Sequence, residues 1–256
     1  MSHFLTLTAG EVKNLRALKS RAERKRQGLF LAEGDHLTEE AIQAGIAKSL
    51  LLMEGKEDKF ARFMSTSLPV YLLPERNFLQ VSDTKTPQGI IAICGLGNPP
   101  SLANLGKRIV ALNAVQDPGN VGTIIRSIEA AGFTGLLLDS ACADPFSPKA
   151  LRASMGSLFR VPVRQIDELE AALQGMGDYV TIAAALDGEP FYGRGKSPDK
   201  ICLLIGSEGG GLSEPLMKMA NLKLKLPMHG LAESLNAAVA ASVMMYDFIR
   251  VWEEQA

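Results

Sequence analysis

Three stretches in the second half of the chain constrain its fold more than anything else in its 256 residues: 113–133 (NAVQDPGNVGTIIRSIEAAGF), 203–213 (LLIGSEGGGLS) and 226–241 (LPMHGLAESLNAAVAA). Each leads an apolar, strand-like run into a polar or glycine-bearing loop, and two of the three continue into a helical pattern. An α/β fold presents backbone amides to a ligand in this way, at the ends of its strands.

The rest of the chain fits that class. An apolar share of 46% over 256 residues suffices for one large or two ordinary domains, each with its own core. Cys94, Cys142 and Cys202 are odd in number, far apart and set in or beside apolar strand patterns. Neither disulfide nor metal-ligand spacing is present, and buried reduced thiols are expected. No apolar h-region follows the basic residues near the N-terminus, and the least charged stretch, 234–246, is too short to span a bilayer. The chain is therefore expected to be cytoplasmic, with no metal and no membrane partner.

The net charge of −1 argues against indiscriminate coating of nucleic acid, but its distribution is uneven. Lys13, Arg16, Lys19, Arg21, Arg24, Lys25 and Arg26 crowd together against only Glu11 and Glu23 in the first thirty residues. Thr8 followed by Glu11 has the form of a capping box, and the pattern predicts one helix carrying this cluster as far as Gly28. Such a helix suits phosphates, or is simply a solvated face.

Short apolar runs then alternate with amphipathic ones, at 29–32, 36–44, 49–53, 70–73, 77–81 and 90–94, the rhythm of a small α/β sandwich. Residues 95–106 (GLGNPPSLANLG) read as a linker, which places the expected domains at 1–98 and 105–256. Beyond it, strands are predicted at 109–112, 135–138, 161–165, 180–185, 201–205 and 222–226. Their largely continuous apolar character suggests a sheet covered on both faces. Helices are predicted at 121–131, 148–157, 167–174, 214–220 and 234–254.

In the first motif Asp117, Pro118, Gly119 and Asn120 form a turn, with Asn120 the expected N-cap of the next helix. Val121, Ile124, Ile125 and Ile128 make the core stripe. Arg126 lies roughly 200° round from Ile124 and points away from that core. The glycines of the second motif, 206–211, allow close backbone approach, yet no Walker lysine follows and no G-x-G-x-x-G or G-x-S-x-G is present. Ser234 and Asn236 in the third motif suit a helix start on capping grounds alone.

Taken together, order, spacing and residue type at the three sites resemble the SpoU (TrmH-like) RNA 2′-O-ribose methyltransferases of the SPOUT superfamily. The resemblance implies an α/β C-terminal domain with a deep trefoil knot. It assigns catalytic roles to Arg126, Asn120, Glu208, Ser234 and Asn236, and places S-adenosyl-L-methionine against Gly206, Leu226 and Leu235. It departs from the commoner pattern at Ala237 and Ala238, where a bulkier residue and a serine are frequent. The first domain is similar to the family's substrate-binding domain, and so to ribosomal proteins that bind kinked RNA. Residues 14–26, 30–34 (FLAEG) and 82–89 (SDTKTPQG) carry that likeness. Arg21, Arg24 and Lys25 are then the expected RNA contacts, with structured ribosomal or transfer RNA as partner. A homodimer is implied as well, and the uncharged run 234–246, with Met244, Met245, Phe248 and Trp252, suggests the last helix as interface. Two other classes are weighed: a noncatalytic RNA-binding assembly factor of the same fold, and a dinucleotide-dependent oxidoreductase, whose fingerprint is lacking.

Overall fold

Alternating polar and apolar patterning resolves into two units. The computed structural model describes residues 4–194 and 196–255. One unit comprises Met1–Asn98 with Phe146–Phe159; the other comprises Pro99–Pro145 with Arg160–Ala256.

The first unit opens with two helices rather than one, α1 (Ala9–Ala17) and α2 (Arg21–Gln27). The capping box forms: Thr8 Oγ1 accepts from the Glu11 amide, and the Glu11 carboxylate accepts from the Thr8 amide at 2.7 Å. The predicted single helix breaks at Ser20, whose backbone is extended. The break sets Leu18 into the core at 2% exposure, and α2 stops at Gly28 in the left-handed conformation. Strands β1 (Leu29–Glu33), β2 (Ala47–Met53), β3 (Val70–Leu73) and β4 (Ile90–Gly95) form a mixed sheet in the order β1-β4-β2-β3. Helix α3 (Asp35–Gln43) packs on β1, β2 and β4, while α4 (Glu75–Val81) packs on β2 and β3. Alternate sheet residues Leu51, Met53, Ile91 and Ile93 join Val12, Leu15, Phe78 and Val81 in one cluster. The intervening Leu50, Leu52, Ile90 and Ala92, all fully buried, face the other side.

Segment Phe146–Phe159 falls inside the stretch that sequence assigns to the second domain, yet it packs with the first unit. Its rings clasp Phe30, with centroids 5.1 Å away for Phe146 and 6.0 Å for Phe159. Arg152 pairs with Asp83 at 3.1 Å.

The second unit is a six-stranded parallel sheet: β5 (Arg108–Asn113), β6 (Gly135–Asp139), β7 (Val163–Ile166), β8 (Val180–Pro190), β9 (Ile201–Gly206) and β10 (Leu222–Lys225), in the order β10-β8-β9-β5-β6-β7. Its helices are α5 (Pro118–Ala130), α7 (Leu169–Gln174), α8 (Glu214–Met219) and α9 (Ala237–Gln255), α6 being Pro148–Ser154 of the first unit. Ile109, Ala111, Cys202 and Leu204 pack with Leu169, Leu173 and Leu216 on one face. Helices α5 and α9 pack on each other, α9 against β9 and α5 against β6. Ser127 on α5 donates to Ser242 on α9 at 2.7 Å, since the single Ser242 proton is given to the Ala238 carbonyl.

The chain runs outward from β5 to β6 and β7 on one side, and places β9, β8 and β10 on the other. Strands β5 and β9 therefore meet at a switch point, from which the chain continues in opposite directions across the sheet. Strand β8 runs longer than the predicted 180–185 and departs from its ladder there. Ala183 pairs with Lys223, but Glu189 pairs with the next residue, Leu224, so 184–188 bulge outward.

Helix α9 corrects one expectation: Met244, Met245, Phe248 and Trp252, read as interface area, are buried within the single chain, whereas Val239 and Tyr246 are 47% and 54% exposed. Among the described residues, no helix is long and apolar enough to cross a membrane. Cys94, Cys142 and Cys202 are free and buried. Burial pushes the Cys94 thiol up to about 12. Burial and the nearby Asp139 carboxylate do the same at Cys142, to about 12, and burial raises Cys202 as well.

Candidate active site

The first motif caps its helix one turn earlier than expected. Asp117, not Asn120, is the N-cap of α5: its Oδ1 accepts from the Asn120 amide at 3.0 Å, and Pro118 takes the first helical position, where a missing N–H is harmless. Asn120 is thereby relieved of capping and its side chain reaches the loop after β9. Its Nδ2 donates to Glu208 Oε1 on the loop after β9.

That loop is closed on itself. Ser207 and Gly211 exchange two backbone hydrogen bonds, of 3.2 and 2.9 Å. A Cβ on Gly206 would lie 2.1 Å from the Gly211 carbonyl carbon, so only glycine permits this approach.

Asn236 supplies the third corner. It is the cap of α9, which starts at Ala237 rather than Ser234: Oδ1 accepts from the amides of Ala238 at 2.9 Å and Val239 at 3.3 Å. Its Nδ2 donates to Asn120 Oδ1 at 3.0 Å and lies 3.4 Å from Glu208 Oε1. One carboxylate and two amides, from three separated motifs, thus interlock.

Beside them lies a cavity of about 400 Å³ lined by Gly206 to Leu212, Leu226, Ser234, Leu235 and Met244, with Ala184, Ala185 and Leu186 of the β8 bulge on its wall. Glu208 belongs to both cavity and cluster. Small and aliphatic walls, open backbone polar groups and one carboxylate suit a cationic nucleoside such as S-adenosylmethionine, so the residues fit that cofactor. A larger cavity of about 730 Å³, at the β8–β10 edge, touches none of these motif residues. Size alone does not locate the chemistry. Among the described residues no cluster could hold a metal ion.

Of the expected catalytic residues, the structure brings together Asn120, Glu208 and Asn236, while Ser234 shares only the cavity wall with Glu208. Arg126 stands apart: it is exposed on α5, has no partner among the described residues, and is absent from the cavity wall. The expected cofactor residues Gly206, Leu226 and Leu235 share one wall. Of the expected RNA contacts, Arg21 and Lys25 are exposed, but Arg24 is only 4% exposed. Its Nη1 donates to the carbonyls of Leu18 at 2.7 Å and Lys19 at 2.9 Å, closing the turn between α1 and α2. Arg24 is thus a structural arginine in this conformation.

Both parts of the chain are similar to known proteins. Residues 107–246 match the SpoU rRNA Methylase family, and residues 10–92 match the MRM3-like substrate binding domain. The chain is 37% identical, over 92% of its length and 94% of the relative's, to the 23S rRNA (guanosine(2553)-2′-O)-methyltransferase RlmP of Bacillus subtilis. The AdoMet-bound rRNA methyltransferase of Sinorhizobium meliloti superposes with a TM-score of 0.83 at 30% identity, covering 97% of each chain. The SpoU methyltransferase AviRb of Streptomyces viridochromogenes, in complex with AdoMet, gives 0.84 at 27% identity, covering 95% of this chain and 98% of that one. The chain belongs to the SpoU rRNA methylase family.

Proposed function

We propose that the protein is an S-adenosyl-L-methionine-dependent methyltransferase acting on a ribose 2′-hydroxyl of ribosomal or transfer RNA, with 23S ribosomal RNA, the substrate named for its relative, the first candidate. The observation that carries this reading is the interlocked Asn120, Glu208 and Asn236 beside the cavity of Gly206, Leu226 and Leu235. A noncatalytic assembly factor has no need of a carboxylate held by two amides at a cofactor mouth.

When bound, the cofactor supplies an electrophilic sulfonium methyl. The chain's own part is positioning, which alone can supply much of the acceleration. Both amides approach Glu208 at Oε1, and no described residue bonds Oε2, leaving it to accept a hydrogen bond from the ribose hydroxyl and orient its oxygen. Arg126 has no acceptor as a guanidinium and is a poor base. Its place in the proposal is to hold an RNA phosphate and stabilise developing alkoxide charge.

The first domain, 1–98, is the RNA-selecting part, with Arg21 and Lys25 as phosphate contacts, and 105–256, apart from the segment Phe146–Phe159 that packs with the first unit, is the catalytic part. The deep trefoil knot, the likeness to kinked-RNA-binding ribosomal proteins, a cytoplasmic location and a homodimer complete the proposal. The exposed Val239 and Tyr246 on α9 support the dimer. The test is a map of ribose methylation across total RNA with and without the protein, paired with transfer of labelled methyl groups in vitro. One lost mark restored by purified protein is the expected result; an unchanged map and no transfer would overturn it.

A further inference from the structure

Asp139 lies at the end of β6, outside all three motifs, and is only 7% exposed. Its carboxylate takes three hydrogen bonds. Oδ2 accepts from Asn113 Nδ2 at 2.6 Å and from the Ala114 amide at 2.9 Å; Oδ1 accepts from the Cys142 amide at 2.9 Å. Two of these donors belong to the end of β5 and the start of the first motif loop. Ala114 there holds a positive φ of 54°, which a non-glycine residue adopts only when its surroundings hold it.

Asn113 is fixed in consequence. With Nδ2 committed to Asp139, its Oδ1 points the other way and accepts from the Ser213 amide at 2.8 Å. Ser213 is where the second motif loop ends and α8 begins. The loop's other end, Gly206, pairs with Asn113 in the sheet register. Asn113 thus holds both ends of the loop that carries Glu208, and Asp139 holds Asn113.

We propose that Asp139, acting through Asn113, is a positioning residue for methyl transfer: it sets the first and second motif loops relative to each other, and so places Asn120 against Glu208 and the loop against the cofactor. The proposal rests on the methyltransferase reading. The carboxylate anchors the base of both loops, and the Asn120–Glu208 contact joins their far sides. A rigid base is what makes a contact between two loops reproducible, since a catalytic pair tolerates little misplacement.

The test uses the full chain carrying Asp139→Asn, Asn113→Ala, or the exchanged pair Asn113→Asp with Asp139→Asn. Asparagine at 139 sets a donor against the donors of Asn113 and Ala114 or against the Cys142 amide. The exchange restores a donor-acceptor match between 113 and 139 and an acceptor for Ser213, and leaves only the Ala114 amide without its acceptor. Three quantities are read: amide hydrogen exchange across 207–213 in the free protein, S-adenosylmethionine affinity by calorimetry, and the melting temperature. Each single variant is expected to speed exchange in that loop and weaken cofactor binding by about tenfold, the loss of one buried hydrogen bond to the loop. The exchanged pair should recover part of both, since the Asn113–Ser213 link returns while the Ala114 bond does not. A lowered melting temperature with loop exchange and affinity as in wild type would overturn the proposal, as would an exchanged pair no better than the worse single variant. If Asp139→Asn does not fold, the milder Asn113→Ala decides, because Asn113 is only half-buried. A wild-type chain that binds no cofactor refutes the functional reading instead, and loop exchange in the free protein still judges the anchor.

Discussion

Asn236 does two jobs with one side chain, and two substitutions separate them. Its Oδ1 caps α9 through the amides of Ala238 and Val239; its Nδ2 holds Asn120 and faces Glu208. Serine is as good an N-cap as asparagine but too short to reach across to Asn120, so Asn236→Ser keeps the cap and removes the amide. Asn236→Ala removes both. Loss of the cap costs about 1 kcal/mol, which for a chain of this size lowers the melting temperature by about 2–4 °C. The alanine variant should show that drop and the serine variant should not. The lost amide contacts are one neutral hydrogen bond at 3.0 Å and one long approach to a carboxylate at 3.4 Å. Together they are worth about 1–3 kcal/mol, or about 5–150-fold in the rate of transfer. Both variants should lose that much in single-turnover assays with saturating cofactor. Asn236 does not line the cavity, so S-adenosylmethionine affinity should change by less than about threefold, under 0.7 kcal/mol. A serine variant that melts normally and transfers methyl groups at the wild-type rate would refute the reasoning. So would a loss of transfer that merely follows a loss of cofactor affinity.

Arg126→Ala should fold and bind S-adenosylmethionine normally while lowering transfer by about 100-fold or more; near-normal single-turnover rates would remove it from the catalytic set. Neutralising Arg21 and Lys25 should reduce the salt slope of RNA binding by roughly 1.4–1.8. Arg24→Gln should instead lower the melting temperature, and a slope that falls only with Arg24 would reverse these roles. Val239→Asp with Tyr246→Asp should dissociate a dimer in sedimentation yet leave a folded chain, whereas Met245→Asp or Phe248→Asp should unfold it; a wild-type monomer at all concentrations sinks the dimer. Cys94 and Cys142 have thiol pKa values raised to about 12 by folding, so the stability they favour is complete below the unfolded value near 8.5–9 and declines as pH rises towards 12. Urea midpoints at pH 8 and pH 10.5 check this, and alkylation at pH 8 should be slow until urea is added.

The parts of this protein that sequence makes plain are those whose cause is local. Strands β5 and β9 are continuous apolar runs because helices cover both faces of the sheet, and the Thr8–Glu11 box closes over three residues. What escapes the sequence depends on a partner far along the chain. Asp117 and Asn120 are both good caps, three residues apart. Pro118 suits the first helical position and favours Asp117, but the role left to Asn120 depends on Glu208, 88 residues away. Arg24 sits among six other basic residues that it resembles in every local respect, and only the turn at Leu18 and Lys19 sets it apart. Phe146 and Phe159 flank an ordinary helix; their segment is attached to the first unit by partners far earlier in the chain, Phe30 for the rings and Asp83 for Arg152 between them. Asp139 has no local signature, since an aspartate at a strand end reads as a turn residue. Capping, turn formation and catalysis draw on the same few side chains, Asn, Asp, Ser and Glu, because each needs a short polar group with a fixed direction. At Asn236 capping and the proposed catalytic role coincide, so a local rule that explains the residue completely as a cap still leaves half of its hydrogen bonds unaccounted for.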